Sequence, residues 1–194
     1  MSKRCGWAGA DEIYIQYHDS EWGVPEYNGQ ILWQMFVLES FQAGLSWITI
    51  LRRRKGFFRH FMGLIQIKLP LGGKLKWKIS FSILGSYAIA ERLRRHLGMP
   101  KLGKIWNAKK DFPTCCEGGV GGRPVQNNWH DLRDVSAQTV ISLKLSADLK
   151  AAGFRFCGPK TVYALMQAAG LVNDHLVSCP THAKVPRLAG AVIG

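Results

Sequence analysis

Between residues 30 and 51 the apolar positions fall at Ile31, Leu32, Met35, Phe36 and Leu38, then at Leu45, Ile48 and Leu51. Steps of three and four predict helix, and Gly44 and Ser46 predict a break or close contact between two helices. Residues 11–18 mix Ile13, Tyr14, Ile15 and Tyr17 with acids, and Glu21-Trp22-Gly23-Val24-Pro25 predicts a loop. Residues 1–63 thus read as mostly helical. A second coherent stretch covers residues 119–179, where Gly121-Gly122-Arg123-Pro124 predicts a loop. Residues 142–152 and 161–170 have helical composition, with Gly153 and Gly170 as C-terminal stops. Leu145, Leu149, Val162, Leu165 and Met166 are expected to face the core. Residues 180–194 are small, apolar and patternless, and predict a flexible tail.

Residues 64–118 follow neither pattern. Lys74-Leu75-Lys76-Trp77-Lys78 alternates like a strand, while Gly72-Gly73, Gly98, Pro70, Pro100 and Pro113 interrupt whatever forms. Set in a helical protein, this segment is a conflict between local and global preference.

Charge sharpens that contrast. The 194 residues hold 26 Lys+Arg against 13 Asp+Glu, a net charge of +13, which favours nucleic acid or another anionic partner. Residues 64–116 alone hold 11 basic and 2 acidic residues, a net of +9. The rest of the chain is close to ordinary. A run at Arg52, Arg53, Arg54 and Lys55 reads as a solvated face or as a phosphate contact. At 47% hydrophobic and 20% charged, wholesale disorder is excluded. No apolar run reaches the roughly 18 residues of a membrane span, and the first residues lack the apolar core of a secretory signal. A cytoplasmic protein is expected, whose five cysteines suggest metal, redox chemistry or packing before disulfides.

Two constellations carry candidate chemistry. Cys5 and His18 near the start, with His175 and Cys179 near the end, are four soft ligands suited to tetrahedral zinc, and such a site would tie the two ends together. His175 and Cys179 share one face if that span is helical. The wide spacing of Cys5 and His18 equally allows ordinary core cysteines and surface histidines. The second group is aromatic: Trp7, Tyr14, Tyr17, Trp22 and Trp47 accompany one acid, Glu39, set in the apolar run of Phe36, Val37, Leu38, Phe41 and Ala43. A carboxylate among apolar residues is costly unless paired. Stacked rings with a carboxylate describe a pocket for a flat, electron-poor or cationic heterocycle. Core aromatics with an exposed Glu39 would look the same in sequence.

Cys5-Gly6-Trp7, Tyr17-His18-Asp19-Ser20-Glu21-Trp22-Gly23-Val24-Pro25, Leu38-Glu39-Ser40-Phe41-Gln42-Ala43-Gly44-Leu45-Ser46-Trp47 and Met166-Gln167-Ala168-Ala169-Gly170-Leu171-Val172-Asn173-Asp174-His175 resemble the DNA-3-methyladenine glycosylase I family. The resemblance covers residues 3–63 and 119–179. It implies an all-α fold of the helix-hairpin-helix glycosylase superfamily, one glycosylase domain over residues 1–179. It also implies a structural zinc on Cys5, His18, His175 and Cys179, with no organic cofactor. The implied partner is double-stranded alkylated DNA, met by a monomer away from any membrane. The implied reaction is base excision: the damaged nucleotide leaves the stack, and its N-glycosidic bond is hydrolysed in the pocket. The resemblance gives the catalytic recognition of the adenine edge to Glu39 and Tyr17. It places Trp47 on the face of the base, and Trp7, Tyr14 and Trp22 around it. It implies no catalytic aspartate.

Residues 64–116 depart from that family and look frameshifted. Lys76-Trp77-Lys78 written AAG TGG AAA after a G regroups to GAA GTG GAA, or Glu-Val-Glu. Regrouped throughout with permitted codons, the segment becomes amphipathic, nearly charge-balanced and similar to the family's middle. A one-base loss near Gly63 with a compensating change near Glu117 would produce it. A divergent insert is the rival explanation. As a function, base-excision glycosylase is therefore set against an inactive form that binds nucleic acid through its basic middle segment without releasing a base.

Overall fold

The computed structural model describes residues 3–42, 45–66, 123–151 and 156–187. The anomalous segment lies outside them except for residues 64–66, as do Gly44, Gly121, Gly122, Gly153 and residues 188–194.

The described residues are mostly helical. Helix α1, Glu12–Ser20, starts where the Asp11 carboxylate accepts from the Ile13 backbone N–H at 3.0 Å, an N-cap that satisfies a donor the helix cannot. Helix α2 is Gly29–Gln42 and helix α3 is Trp47–Gln66, so the expected break between two helices falls at residues 43–46. Helix α4, Val140–Ala151, and helix α5, Pro159–Ala168, occupy the two stretches where helix is expected. Gly158 and Pro159 open α5 with the proline at a position whose missing N–H costs nothing. None of these helices is long and apolar enough to cross a membrane.

The core forms where α5 packs against both α2 and α4. Leu32 and Phe36 of α2, Leu145 and Leu149 of α4, and Val162, Leu165 and Met166 of α5 are all buried together. Removing a ring such as Phe36 would cost about 3–5 kcal/mol in lost burial and cavity. This cluster joins the N-terminal stretch to the C-terminal one.

Two features differ from an all-helical expectation. Val125–Gln126 (β1) pairs in parallel with Val172–Asn173 (β2), in the register Val125 to Val172 and Gln126 to Asn173. A two-residue pairing leaves too little period-2 pattern to read, yet it brings the loop after β1 beside residue 174. The tail expected from residue 180 is instead packed as far as 185: Thr181 and Val185 are buried, and the His182 ring bonds the Asn127 carbonyl at 2.8 Å.

Gly170 closes α5 with φ +66, and a Cβ there would lie 2.5 Å from backbone atoms of Val24 and Pro25. Only glycine permits both the left-handed turn and this approach. The Glu26 N–H then donates to the Ala169 carbonyl at 3.1 Å, which fixes the loop after α1 against the end of α5.

Candidate active site and metal cluster

Helix α1 sets three functional side chains at once. Tyr14 and Tyr17 are one turn apart, and His18 follows Tyr14 by four, so all three share a face. Tyr14 also caps α3, its hydroxyl oxygen accepting from the Ile48 backbone N–H at 3.0 Å. Trp7, on a short 3-10 turn at Gly6–Ala8, meets Tyr14, Tyr17, His18 and Trp22 edge-on, with ring centroids 4.9 to 6.3 Å apart. Tyr17 meets Trp47 at 5.7 Å. These tilted contacts suit the ring quadrupoles and leave an aromatic wall.

That wall borders a cavity of about 260 Å³ lined by Trp7, Tyr14, Tyr17, Trp22, Glu39 and Trp47, all six of the pocket residues named from sequence. Glu39 is 5% exposed, which removes the alternative of an exposed helix residue. Its Oε2 has no hydrogen-bond partner among the described residues. Burial pushes its carboxyl up to about 8. Burial, reinforced by Glu39, also holds the Tyr17 hydroxyl well above its usual range, so it remains a donor.

Gln42, Leu132, Val135, Ala164, Gln167 and Asp174 complete the lining and were not singled out from sequence. Gln42 follows Glu39 by three on α2, a spacing that could have revealed it. Asp174 is a carboxylate beside a candidate ligand histidine, after an apolar run, which was the available signal. It is 2% exposed and fully engaged. Its Oδ1 accepts from Asn127 Nδ2 and Trp129 Nε1, and its Oδ2 from the Tyr163 hydroxyl and Gln167 Nε2, all at 2.7 Å.

Behind the aromatic wall, Cys5, His18, His175 and Cys179 converge, buried, with their ligand atoms within 4.8 Å of one another. The span from His175 to Cys179 is a run of turns rather than a helix, and it still brings Cys179 Sγ to 3.7 Å from His175 Nδ1. Cys5 Sγ to His175 Nδ1 is 3.7 Å, and Cys179 Sγ to His18 Nε2 is 3.6 Å. Sulfur and nitrogen ligands on a tetrahedral ion stand about 3.5 Å apart, so the four residues fit one. The second nitrogen of each ring is occupied as a metal site requires. His18 Nδ1 bonds Asp19 at 2.8 Å, and Arg4 anchors that carboxylate in turn. His175 Nε2 donates to the Trp22 carbonyl at 3.0 Å. Burial holds His175 down at about 4, so its imidazole is the neutral, ligating form. The four residues could hold a metal ion.

The basic run on α3 is partly spent inside the protein. Arg54 grips Glu21 with both guanidinium nitrogens, and Arg52 reaches Asp11 at 2.7 Å. Lys55 is exposed.

These features define a helical protein whose ring-lined cavity, with a buried carboxyl group and an adjoining Cys2His2 cluster, suits a flat small-molecule group. The comparisons narrow the class. The methyladenine glycosylase family model matches residues 7–68 and 100–182. A DNA-3-methyladenine glycosylase of Haemophilus influenzae is 38% identical over 187 residues, covering 93% of this chain and 98% of that protein. A crystal structure of 3-methyladenine DNA glycosylase I superposes with a TM-score of 0.71 at 32% identity, covering 93% of this chain and 100% of that one. A variant of 3-methyladenine DNA glycosylase I solved in complex with 3-methyladenine gives 0.67 at 28% identity, covering 92% and 96%. The chain belongs to the methyladenine glycosylase family.

Proposed function

We infer that the protein is a base-excision glycosylase that hydrolyses the N-glycosidic bond of 3-methyladenine in alkylated double-stranded DNA. The observation that carries this is the buried Glu39 oxygen, without a partner among the described residues, in an aromatic cavity of about 260 Å³. A buried carboxyl group with an unpaired oxygen is a standing cost that a ligand's polar edge would relieve.

N3-methylation leaves the base cationic and a good leaving group, so little acid catalysis is needed. The flipped nucleotide enters the cavity, at a cost of a few kcal/mol of unstacking. Glu39 and Tyr17 hydrogen-bond its edge, Trp47 stacks on its face, and Trp7, Tyr14 and Trp22 enclose it. The C1′–N9 bond breaks with its electron pair going to N9, which neutralises the base. A water oxygen bonds C1′ and its proton goes to solvent.

Cys5, His18, His175 and Cys179 would hold zinc, which when bound supplies a structural cross-link between chain ends rather than chemistry. The cluster's spacing and its occupied outer nitrogens support that assignment. The helix-hairpin-helix superfamily assignment is supported by the motif blocks of residues 3–63 and 119–179. Residues 64–116 are read as out of frame, supported by their +9 charge and, over residues 69–99, by the gap in a family match that includes residues 64–68 and 100–116. Sequencing the source DNA across codons 60–120 tests this, and an intact written frame would refute it.

The functional test is incubation of the full chain with methylated duplex DNA and chromatography of the released bases. Free 3-methyladenine is expected. Salt-dependent DNA binding with no base released would overturn the reading and favour an inactive binder.

A further inference from the structure

The two histidines of the Cys2His2 cluster differ in what holds their outer nitrogens. His175 Nε2 donates to the Trp22 main-chain carbonyl at 3.0 Å, a partner that no side-chain replacement removes. His18 Nδ1 instead meets the Asp19 carboxylate at 2.8 Å. Cys179 Sγ lies 3.6 Å from His18 Nε2, so that nitrogen faces the cluster. A neutral imidazole carries one ring proton, and a carboxylate can only accept. Asp19 therefore keeps the proton on Nδ1 and leaves the Nε2 lone pair for a metal.

Asp19 is itself held. Arg4 Nε donates to both of its oxygens at 2.9 Å, and Arg4 Nη2 meets Oδ2 at 2.9 Å. Arg4 precedes the ligand Cys5 and Asp19 follows the ligand His18, so the ion pair ties together the two segments that carry those ligands. Ordinary surface pairing does not account for this acid. It sits in the last turn of α1, where the helix dipole disfavours a negative charge. Its side chain is 39% exposed and that of Arg4 49%, so the pair adds little stability by itself. The His18 ring that it reaches is fully buried, and the orientation of that ring decides whether Nε2 points at the ion.

We propose that Asp19 is the positioning residue of the metal cluster: it fixes the proton and the orientation of His18, and Arg4 fixes Asp19, so that the Cys5 and His18 half of the cluster is assembled before the ion arrives. This assignment rests on reading the cluster as a zinc site and adds the residues outside the four ligands that set its affinity. Without Asp19 the ring is free to turn or to carry its proton on Nε2, and either state must be undone before zinc binds.

Competition between the zinc-loaded full chain and a chromophoric chelator tests this, with the thermal midpoint followed by circular dichroism. Asp19→Ala is expected to weaken zinc binding by about 10- to 100-fold. Arg4→Gln should weaken it in the same direction by about threefold. Arg52→Gln breaks another exposed arginine–aspartate pair, one that adjoins no ligand, and should leave zinc affinity unchanged. A merely structural Asp19 would lower the thermal midpoint of Asp19→Ala while leaving its chelator titration as in wild type. Wild-type zinc affinity in Asp19→Ala overturns the proposal, as does equal weakening by Arg52→Gln. Where Asp19→Ala does not fold, wild-type affinity in Arg4→Gln overturns it instead. A wild-type chain that takes up no zinc sinks the zinc reading of the cluster, whereas equally tight uptake by every variant sinks this assignment alone.

Discussion

Glu39 and Asp174 line the same cavity from opposite ends of the chain, one without a donor at its inner oxygen and the other with four. The wall around Glu39 is aromatic, built from α1, α2 and the start of α3. The wall around Asp174 is a closed polar network from the β1 loop, α5 and β2. The first is left incomplete, as a surface that awaits a ligand must be. The second is complete without one, as a rigid support must be. The Cys2His2 cluster adjoins both walls in sequence, since Tyr17 precedes His18 and Asp174 precedes His175.

Metal removal is the broadest way to break the comparison, because it releases both walls together. Chelation during purification should lower the thermal midpoint by about 10 °C or more, measured by circular dichroism with and without added zinc. An unchanged midpoint would remove the metal from the fold.

The next largest effect should come from the complete wall. Asp174→Ala strands four donors and is expected to cost about 3–5 kcal/mol in urea unfolding. A loss below about 1 kcal/mol would mean the network is not holding that wall.

Glu39 should behave in the opposite sense. Its carboxyl keeps its proton to about 8 when folded, against 4.5 when unfolded. The folded state therefore binds more protons in that window. The stabilisation is fully present below about pH 4.5 and is lost as pH rises through about 8. Glu39→Gln should remove this dependence and be the more stable protein at pH 8.5, by on the order of 3 kcal/mol. Parallel stability curves for the two proteins would show that Glu39 is not desolvated.

Much of this arrangement was legible in sequence, for identifiable reasons. The two helices meeting within residues 30–51 followed from apolar spacing, and those at 142–152 and 161–170 from helical composition and the glycines that follow them. Glu39 stood out because a carboxylate interrupts an apolar face. Cys5, His18, His175 and Cys179 were recognisable as a candidate ligand set, and they do converge, although a run of turns rather than a helix joins the last two. Asp174 was not legible as a pocket wall, because Asn127 and Trp129, which hold it, lie 45 and more residues away. The packing of Val185 is equally long-range, its neighbourhood reaching back to Gly23.

The smallest effect sharpens the boundary of the aromatic wall. Tyr14→Phe keeps the ring but removes the acceptor for the Ile48 N–H, and should cost about 1 kcal/mol. A loss several times larger would mean that the hydroxyl organises the cavity as well as capping α3.

Single-turnover base release and duplex DNA affinity, measured side by side for wild type and Glu39→Ala, test the central claim most directly. Release of 3-methyladenine should fall by about a hundredfold or more, while DNA affinity stays within about threefold, because Glu39 touches the base and not the backbone. Unchanged release kinetics would take Glu39 out of the site and contradict the reading of this cavity as the place where the damaged base is held.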